Sequence, residues 1–147
     1  MEDIRKNKNR GYQQLRIWKD SIELYRITCA IFTKYPFELK RIASQSIASV
    51  DSVHRNIAEG YCRKSIKEYI QYLYIALSSL GESISGFTAY FRAGQLNKDE
   101  FNMLDSLSFK IENGLIKLIQ TLEIKRDSND WIDSLSVKEC NELYETE

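Results

Sequence analysis

Residues 66–91 read IKEYIQYLYIALSSLGESISGFTAYF, and within them Ile66, Ile70, Leu73, Leu77, Leu80, Ile84, Phe87 and Phe91 recur at alternating steps of four and three. An apolar repeat of 3.5 residues sustained over this length specifies a helix with one continuous seam. Such a seam packs against its neighbours at the shallow crossing angles of a four-helix bundle. At 1.5 Å per residue the rod is roughly 40 Å long, and its seam needs partners of similar length.

The flanking sequence supplies them. Gly94 marks the stop, and Asn97 with Glu100 has the spacing of a helix start, after which Leu104, Leu107, Ile111, Leu115, Leu118 and Leu122 continue the apolar pattern. Upstream, Leu39, Ala43, Ser46, Val50, Val53 and Ile57 form the inner row of a helix over about 39–58, interleaved with small serines that let a neighbour approach closely. Before it, Leu15, Trp18, Ile22, Tyr25, Cys29 and Phe32 form the face of a first helix, with Ile17, Leu24, Ile31 and Tyr35 as a second row beside it. Pro36 disfavours helix at Tyr35 and can open the next one. Four helices with short connections give an all-α, antiparallel up-down-up-down four-helix bundle.

With 147 residues, one proline and six glycines, the chain is one helical domain. No apolar run approaches membrane-spanning length and no signal-peptide pattern opens the chain, so a cytoplasmic protein without a membrane partner is expected. Cys29, Cys62 and Cys140 are odd in number and widely spaced, which suits reduced thiols. The formal net charge of zero hides a split: residues 1–126 carry 20 Lys and Arg against 14 Asp and Glu, whereas residues 127–147 carry 1 against 7. Residues 1–14 read as a basic tail, 15–126 as the bundle, and 127–147 as an acidic tail in which Trp131, Ile132, Leu135 and Val137 could dock as a short helix.

Between the second and third helices, residues 56–68 read NIAEGYCRKSIKE, dense in polar chemistry. Most of it reads as a structural corner. Ser65 and Glu68 have capping-box spacing, Gly60 suits the left-handed residue after a helix, Asn56 can bond loop backbone, and Glu59 at the negative helix end needs a cation such as Arg63 or Lys64.

Here the chain resembles the 23S rRNA intervening-sequence proteins, a family of four-helix bundles. The shared residues are Leu15, Trp18 and Lys19, then Pro36, Gln45, the NIAEG run of 56–60, Arg63, Ser65 and Glu68, then Ala76, Leu77, Ser79, Leu80 and Glu82. The resemblance spans roughly residues 12–122. It implies a bundle that assembles into a ring, with a homopentamer as the expected form, and no known enzymatic activity. A related branch, the accessory proteins of diversity-generating retroelements, implies nucleic acid and a reverse transcriptase as partner types. Where many relatives carry a basic pair, this chain has Ile47 and Ala48, which weakens an RNA-binding reading.

Catalytic and metal chemistry find little support. The single histidine, His54, lies three after Asp51, but a di-iron bundle site needs two Glu-x-x-His pairs. No nucleophile elbow, Walker sequence or G-x-G-x-x-G accompanies it, so no catalytic residue, metal or cofactor is expected. Nucleic-acid binding is the alternative, with Arg16, Lys19, Arg55, Arg63, Lys64 and Lys67 as candidate phosphate contacts. Tyr69, Tyr72, Ala76, Ser79, Ser83, Gly86 and Tyr90 form a second row on the third helix that one core cannot use together with the heptad seam, and this row is the expected subunit interface. The leading expectation is a non-enzymatic, self-associating scaffold or accessory factor, with RNA, DNA or another protein as further partners.

Overall fold

A computed structural model describes residues 8–63, 65–128 and 141–144. The apolar seam of residues 66–91 forms α3 (Ile66–Arg92), and its partners are α1 (Arg16–Phe32), α2 (Lys40–Cys62) and α4 (Lys98–Asp127). Short 3-10 helices, Lys8–Gln14 and Phe37–Leu39, precede α1 and α2. No strand occurs among the described residues, so the fold is all-α.

Paired contacts give the topology. Along α2 and α3, Gly60 faces Tyr69 and Tyr72, Ser52 faces Ser79, Ser49 faces Ser83, and Ser46 faces Tyr90. One numbering falls as the other rises, so the two helices run oppositely. Between α3 and α4 the same holds for Tyr74 with Glu123 and Phe91 with Phe101. Tyr25 with His54 joins α1 to α2, while Lys110 with Asp20 joins α4 back to α1 and closes the bundle.

The core follows the apolar rows on three helices. Val50, Val53 and Ile57 of α2, Leu73 and Leu80 of α3, and Leu104, Ile111, Leu115 and Leu122 of α4 are all fully buried. On α1 both apolar rows contribute to the core, the second row more continuously than the first. The buried stripe is Ile17, Ser21, Leu24, Thr28 and Ile31, joined by Leu15 and Phe32 at the two ends of the first row, while Trp18, Ile22, Tyr25 and Cys29 between them are only half-buried. Two hydroxyls hid that stripe. Ser21 Oγ donates to the Ile17 carbonyl and Thr28 Oγ1 to the Leu24 carbonyl, each at 2.7 Å, so both polar side chains sit in the core with their hydrogen bonds satisfied locally.

The bundle also begins earlier than residue 15. In the Lys8–Gln14 helix, Tyr12 packs edge-on against Trp18 with ring centroids 5.5 Å apart and against Tyr61 at 6.4 Å. This aromatic contact ties the second half of the basic segment to α1 and α2.

Helix ends are set as local chemistry requires. Asn97 Oδ1 accepts from the Glu100 N–H at 2.8 Å and the Glu100 carboxylate accepts from the Asn97 N–H at 3.1 Å, a complete capping box. Replacing Asn97 by Ala should lower stability by about 1 kcal/mol, read as a shift in the urea midpoint. Gly94, with φ +76°, makes the turn between α3 and α4. Gly81, by contrast, lies exposed inside α3 with nothing within 4 Å of a built Cβ. Gly81→Ala should therefore raise stability by about 0.5–1 kcal/mol by the same denaturation measurement.

Candidate functional site

The corner between α2 and α3 is built from the NIAEG run. Asn56 sits on the inner flank of α2, where its Nδ2 donates to the Ser52 carbonyl at 2.8 Å and to Ser52 Oγ at 2.9 Å. Glu59 meets Arg63 one turn later, with Nη2 donating to Oε1 at 2.8 Å, and the same Nη2 donates to Tyr72 OH at 2.9 Å. The Arg63 guanidinium also lies 5.0 Å from the Tyr72 ring centroid. Arg63 thus clips the end of α2 to the second turn of α3, and its pKa is raised first by the bond to Glu59.

Gly60 departs from its expected role. It is buried within α2, which runs on to Cys62 and ends on Arg63. The residue is needed for close approach instead of chain reversal. A Cβ there would lie 2.9 Å from Tyr72 Cβ, 3.0 Å from Tyr69 Cδ1 and 3.2 Å from the Tyr69 carbonyl oxygen. Ser65 caps α3, its Oγ accepting from the Glu68 N–H at 3.4 Å, so this half of the capping box is formed.

The row expected to meet a second subunit meets α2 of the same chain. Tyr69, Ala76 and Ser83 are buried, and Tyr72, Ser79, Gly86 and Tyr90 are half-buried along the same seam. Hydroxyl pairs tie it together: Ser49 with Ser83 and Ser52 with Ser79, each 2.9 Å apart, and Ser46 with Tyr90 at 3.4 Å. Small side chains on both helices let the backbones come close enough for serine to bond serine, which widens the core stripe of α3. That row is accordingly an internal seam.

The basic candidates gather near one end of the bundle, where α1 and α3 begin and α2 ends. Arg16, Lys19, Arg63 and Lys67 are exposed there, with Arg55 two turns back on α2. Lys64 lies outside the described residues. Two of the five described candidates already face carboxylates. Arg63 holds Glu59, and Arg55 Nε donates to Asp51 Oδ2 at 2.5 Å. Asp51 is also 2.8 Å from His54 Nε2. Burial pushes the Asp51 carboxyl up, but the bonds from His54 and Arg55 outweigh it and the net shift is downward. His54, the one residue with familiar catalytic chemistry, is therefore hydrogen-bonded to the carboxylate that also pairs with Arg55, and lies against the Tyr25 ring.

Among the described residues, no three His, Cys, Asp or Glu side chains come together to hold a metal ion. Cys29 and Cys62 are unpaired thiols, and Cys140 lies outside the described residues. No described helix is long and apolar enough to cross a membrane.

Two features escaped the sequence reading. Eight large apolar side chains are exposed among the described residues, and seven of them, Tyr74, Ile75, Phe91, Met103, Phe109, Ile116 and Ile124, belong to α3 and α4. An open groove of about 660 Å³ lies beside two of them, lined by Lys67, Gln71, Tyr74, Ile75, Glu82 and Arg126 among others. The Tyr74 hydroxyl donates to the Glu123 carboxylate, a bond that raises the tyrosine pKa and fixes the ring beside the groove. The second is the docking of residues 141–144, which read in sequence as part of the tail. Of that tail, 129–140, including Trp131, Ile132, Leu135 and Val137, lie outside the described residues, as do 145–147.

The profile of the 23S rRNA-intervening sequence protein family matches residues 13–117, from the last turn before α1 into the middle of α4. The chain belongs to the 23S rRNA-intervening sequence protein family. No individual curated protein matches it at a significant level. The matched span holds all four helices at least in part, the NIAEG corner, the serine seam and most of the exposed apolar surface. In this family member, the polar block that draws attention in the sequence serves the α2–α3 junction.

Proposed function

We propose that this 23S rRNA-intervening sequence protein is a non-enzymatic, self-associating scaffold or accessory factor, working in the cytoplasm. Copies meet through the outer surface of α3 and α4, and a homopentameric ring is the form that the family resemblance favours. The observation that carries this reading is the concentration of exposed large apolar side chains on those two helices. Large apolar side chains exposed at this density on two neighbouring helices support an interaction surface there. Asp51 is engaged by the Arg55 guanidinium and hydrogen-bonded to His54, an arrangement that supports a scaffold over an enzyme.

Sedimentation velocity tests the reading. The full-length chain should sediment as an oligomer, and Phe109→Asp, which changes a side chain 60% exposed, should sediment near the 17.2 kDa protomer with an unchanged helical circular dichroism spectrum. A wild-type chain that sediments as a protomer at micromolar concentration would overturn it.

A second reading, RNA or DNA binding, is favoured by the gathering of Arg16, Lys19, Arg63 and Lys67 near one end of the bundle. A ring would repeat that patch and multiply weak phosphate contacts. Binding that falls steeply between two salt concentrations would support it. Absence of binding at low salt would leave protein partners as the object of the scaffold.

A further inference from the structure

Residues 141–144 form a helical turn against the junction of α1 and α4, held by contacts of three kinds. The first is at the N-terminus of α1, where Leu15 provides no side-chain cap. Asn141 provides one from 125 positions away: its Oδ1 accepts from the Arg16 N–H at 2.8 Å and its Nδ2 donates to the Gln14 carbonyl at 3.1 Å. An asparagine amide at a helix start satisfies an otherwise orphan donor. The second is polar and centred on Tyr144, which is only 6% exposed. Its hydroxyl donates to the Asp20 carboxylate, the Lys110 ammonium lies 5.1 Å from its ring centroid, and Lys110 is itself 3.2 Å from Asp20. The third is steric. A Cβ on Gly114 would lie 2.3 Å from the Tyr144 ring, so α4 carries a glycine in its interior where that ring rests.

We propose that the groove formed by Ile17, Asp20, Lys110 and Gly114 is a peptide-recognition site, occupied in cis by residues 141–144, which dock and undock as a unit separate from unfolding of the bundle. Its specificity is for an asparagine followed three residues later by a tyrosine. The amide reads the exposed start of α1, and the ring fills the space over Gly114 between Asp20 and Lys110. Charge supports the same occupant: residues 127–147 carry seven carboxylates and one lysine, and Arg16 and Lys19 lie exposed on the first turns of α1. Separate undocking follows from size. The segment contributes one buried side chain, Tyr144, whereas each long helix contributes five or more, and small units open at lower free energy than the whole fold. The proposal does not depend on the oligomeric state or on nucleic acid.

Amide hydrogen exchange on the full-length chain tests it. Asn141→Ala, and separately the double variant Asn141→Ala with Tyr144→Ala, should exchange about tenfold faster at Arg16 and Ile17, as loss of a cap implies, with Val50, Val53 and Leu73 unchanged. A synthetic peptide of residues 137–147 at about 1 mM, comparable to the effective concentration of a tethered segment, should restore slow exchange in the double variant. The same peptide carrying Tyr144→Ala should not. Acceleration spread evenly over all four helices would show the segment to be an inseparable part of the core, and would overturn the proposal. So would unchanged exchange at Arg16, or failure of the peptide to restore it.

Discussion

Ser83→Glu should unfold the chain rather than separate folded subunits. Ser83 is 3% exposed, its Oγ lies 2.9 Å from Ser49 Oγ, and it donates to the Ser79 carbonyl at 2.9 Å. The surrounding seam is made of Gln45, Ser46, Ser49, Glu82, Gly86 and Tyr90, with a carboxylate but no cation among them. A carboxylate forced into that space loses its hydration, breaks the serine pair and pushes α2 from α3. An uncompensated buried charge costs about 3–5 kcal/mol, a large share of the roughly 5–15 kcal/mol that holds an ordinary domain together. Thermal melts followed by helical circular dichroism should show the transition lowered by well over 10 °C, or no folded baseline, at every protein concentration. A variant with the wild-type melting temperature and a reduced mass would instead place this seam between subunits.

Gly60→Val should cost about 3 kcal/mol, at the upper end of what overpacking causes. The neighbours that crowd the site cannot swing away cheaply, because Tyr72 Cβ and the Tyr69 carbonyl oxygen are fixed to the α3 backbone. Room for a branched side chain requires moving the whole first turns of α3, together with the Arg63 clip on Tyr72. Equilibrium urea unfolding measures the loss. A change under 0.5 kcal/mol would show that the helices part freely at this corner. The comparison with Gly81, whose replacement is expected to stabilise, separates the loss of space at Gly60 from the general helix preference for residues with a Cβ.

The fold was legible because its signals repeat. Twenty-six residues of alternating four- and three-residue steps specify α3 as one helix, which buries Ile70, Leu73, Leu80 and Phe87 of that seam and leaves Phe91 exposed, and similar rows in α2 and α4 lie on the faces that the structure buries. The polar members of the buried stripe on α1 were not legible. A serine or threonine scores as polar in any apolar count, yet Ser21 and Thr28 bond their own helix backbone and enter the core. The same blindness affected α3. Its row of small residues and tyrosines looked surplus to one core, because a sequence pattern does not show that α2 offers a matching row of serines close enough to bond.

Two surface features depended on tertiary placement. The exposed apolar residues of α3 and α4 lie scattered in the sequence, and only the packing of the helices shows which face remains outside. Asn141 and Tyr144 carry no local motif at all; their significance comes from Leu15, a residue that cannot cap, and from Gly114, a glycine with no turn to make. At the corner, the need of Glu59 for a cation was readable from its place near the negative end of α2, and Arg63 is the residue that meets it.

The central claim is that copies meet through the outer surface of α3 and α4 while the α2–α3 seam stays within each chain. Isotope-filtered nuclear Overhauser spectra on oligomers mixed from differently labelled full-length chains test it directly, since they register only contacts between copies. Cross-chain contacts should appear at Tyr74, Ile75, Phe109 and Ile116. Cross-chain contacts at Tyr69, Ala76, Ser83 and Tyr90, with none at the outer residues, would contradict the account.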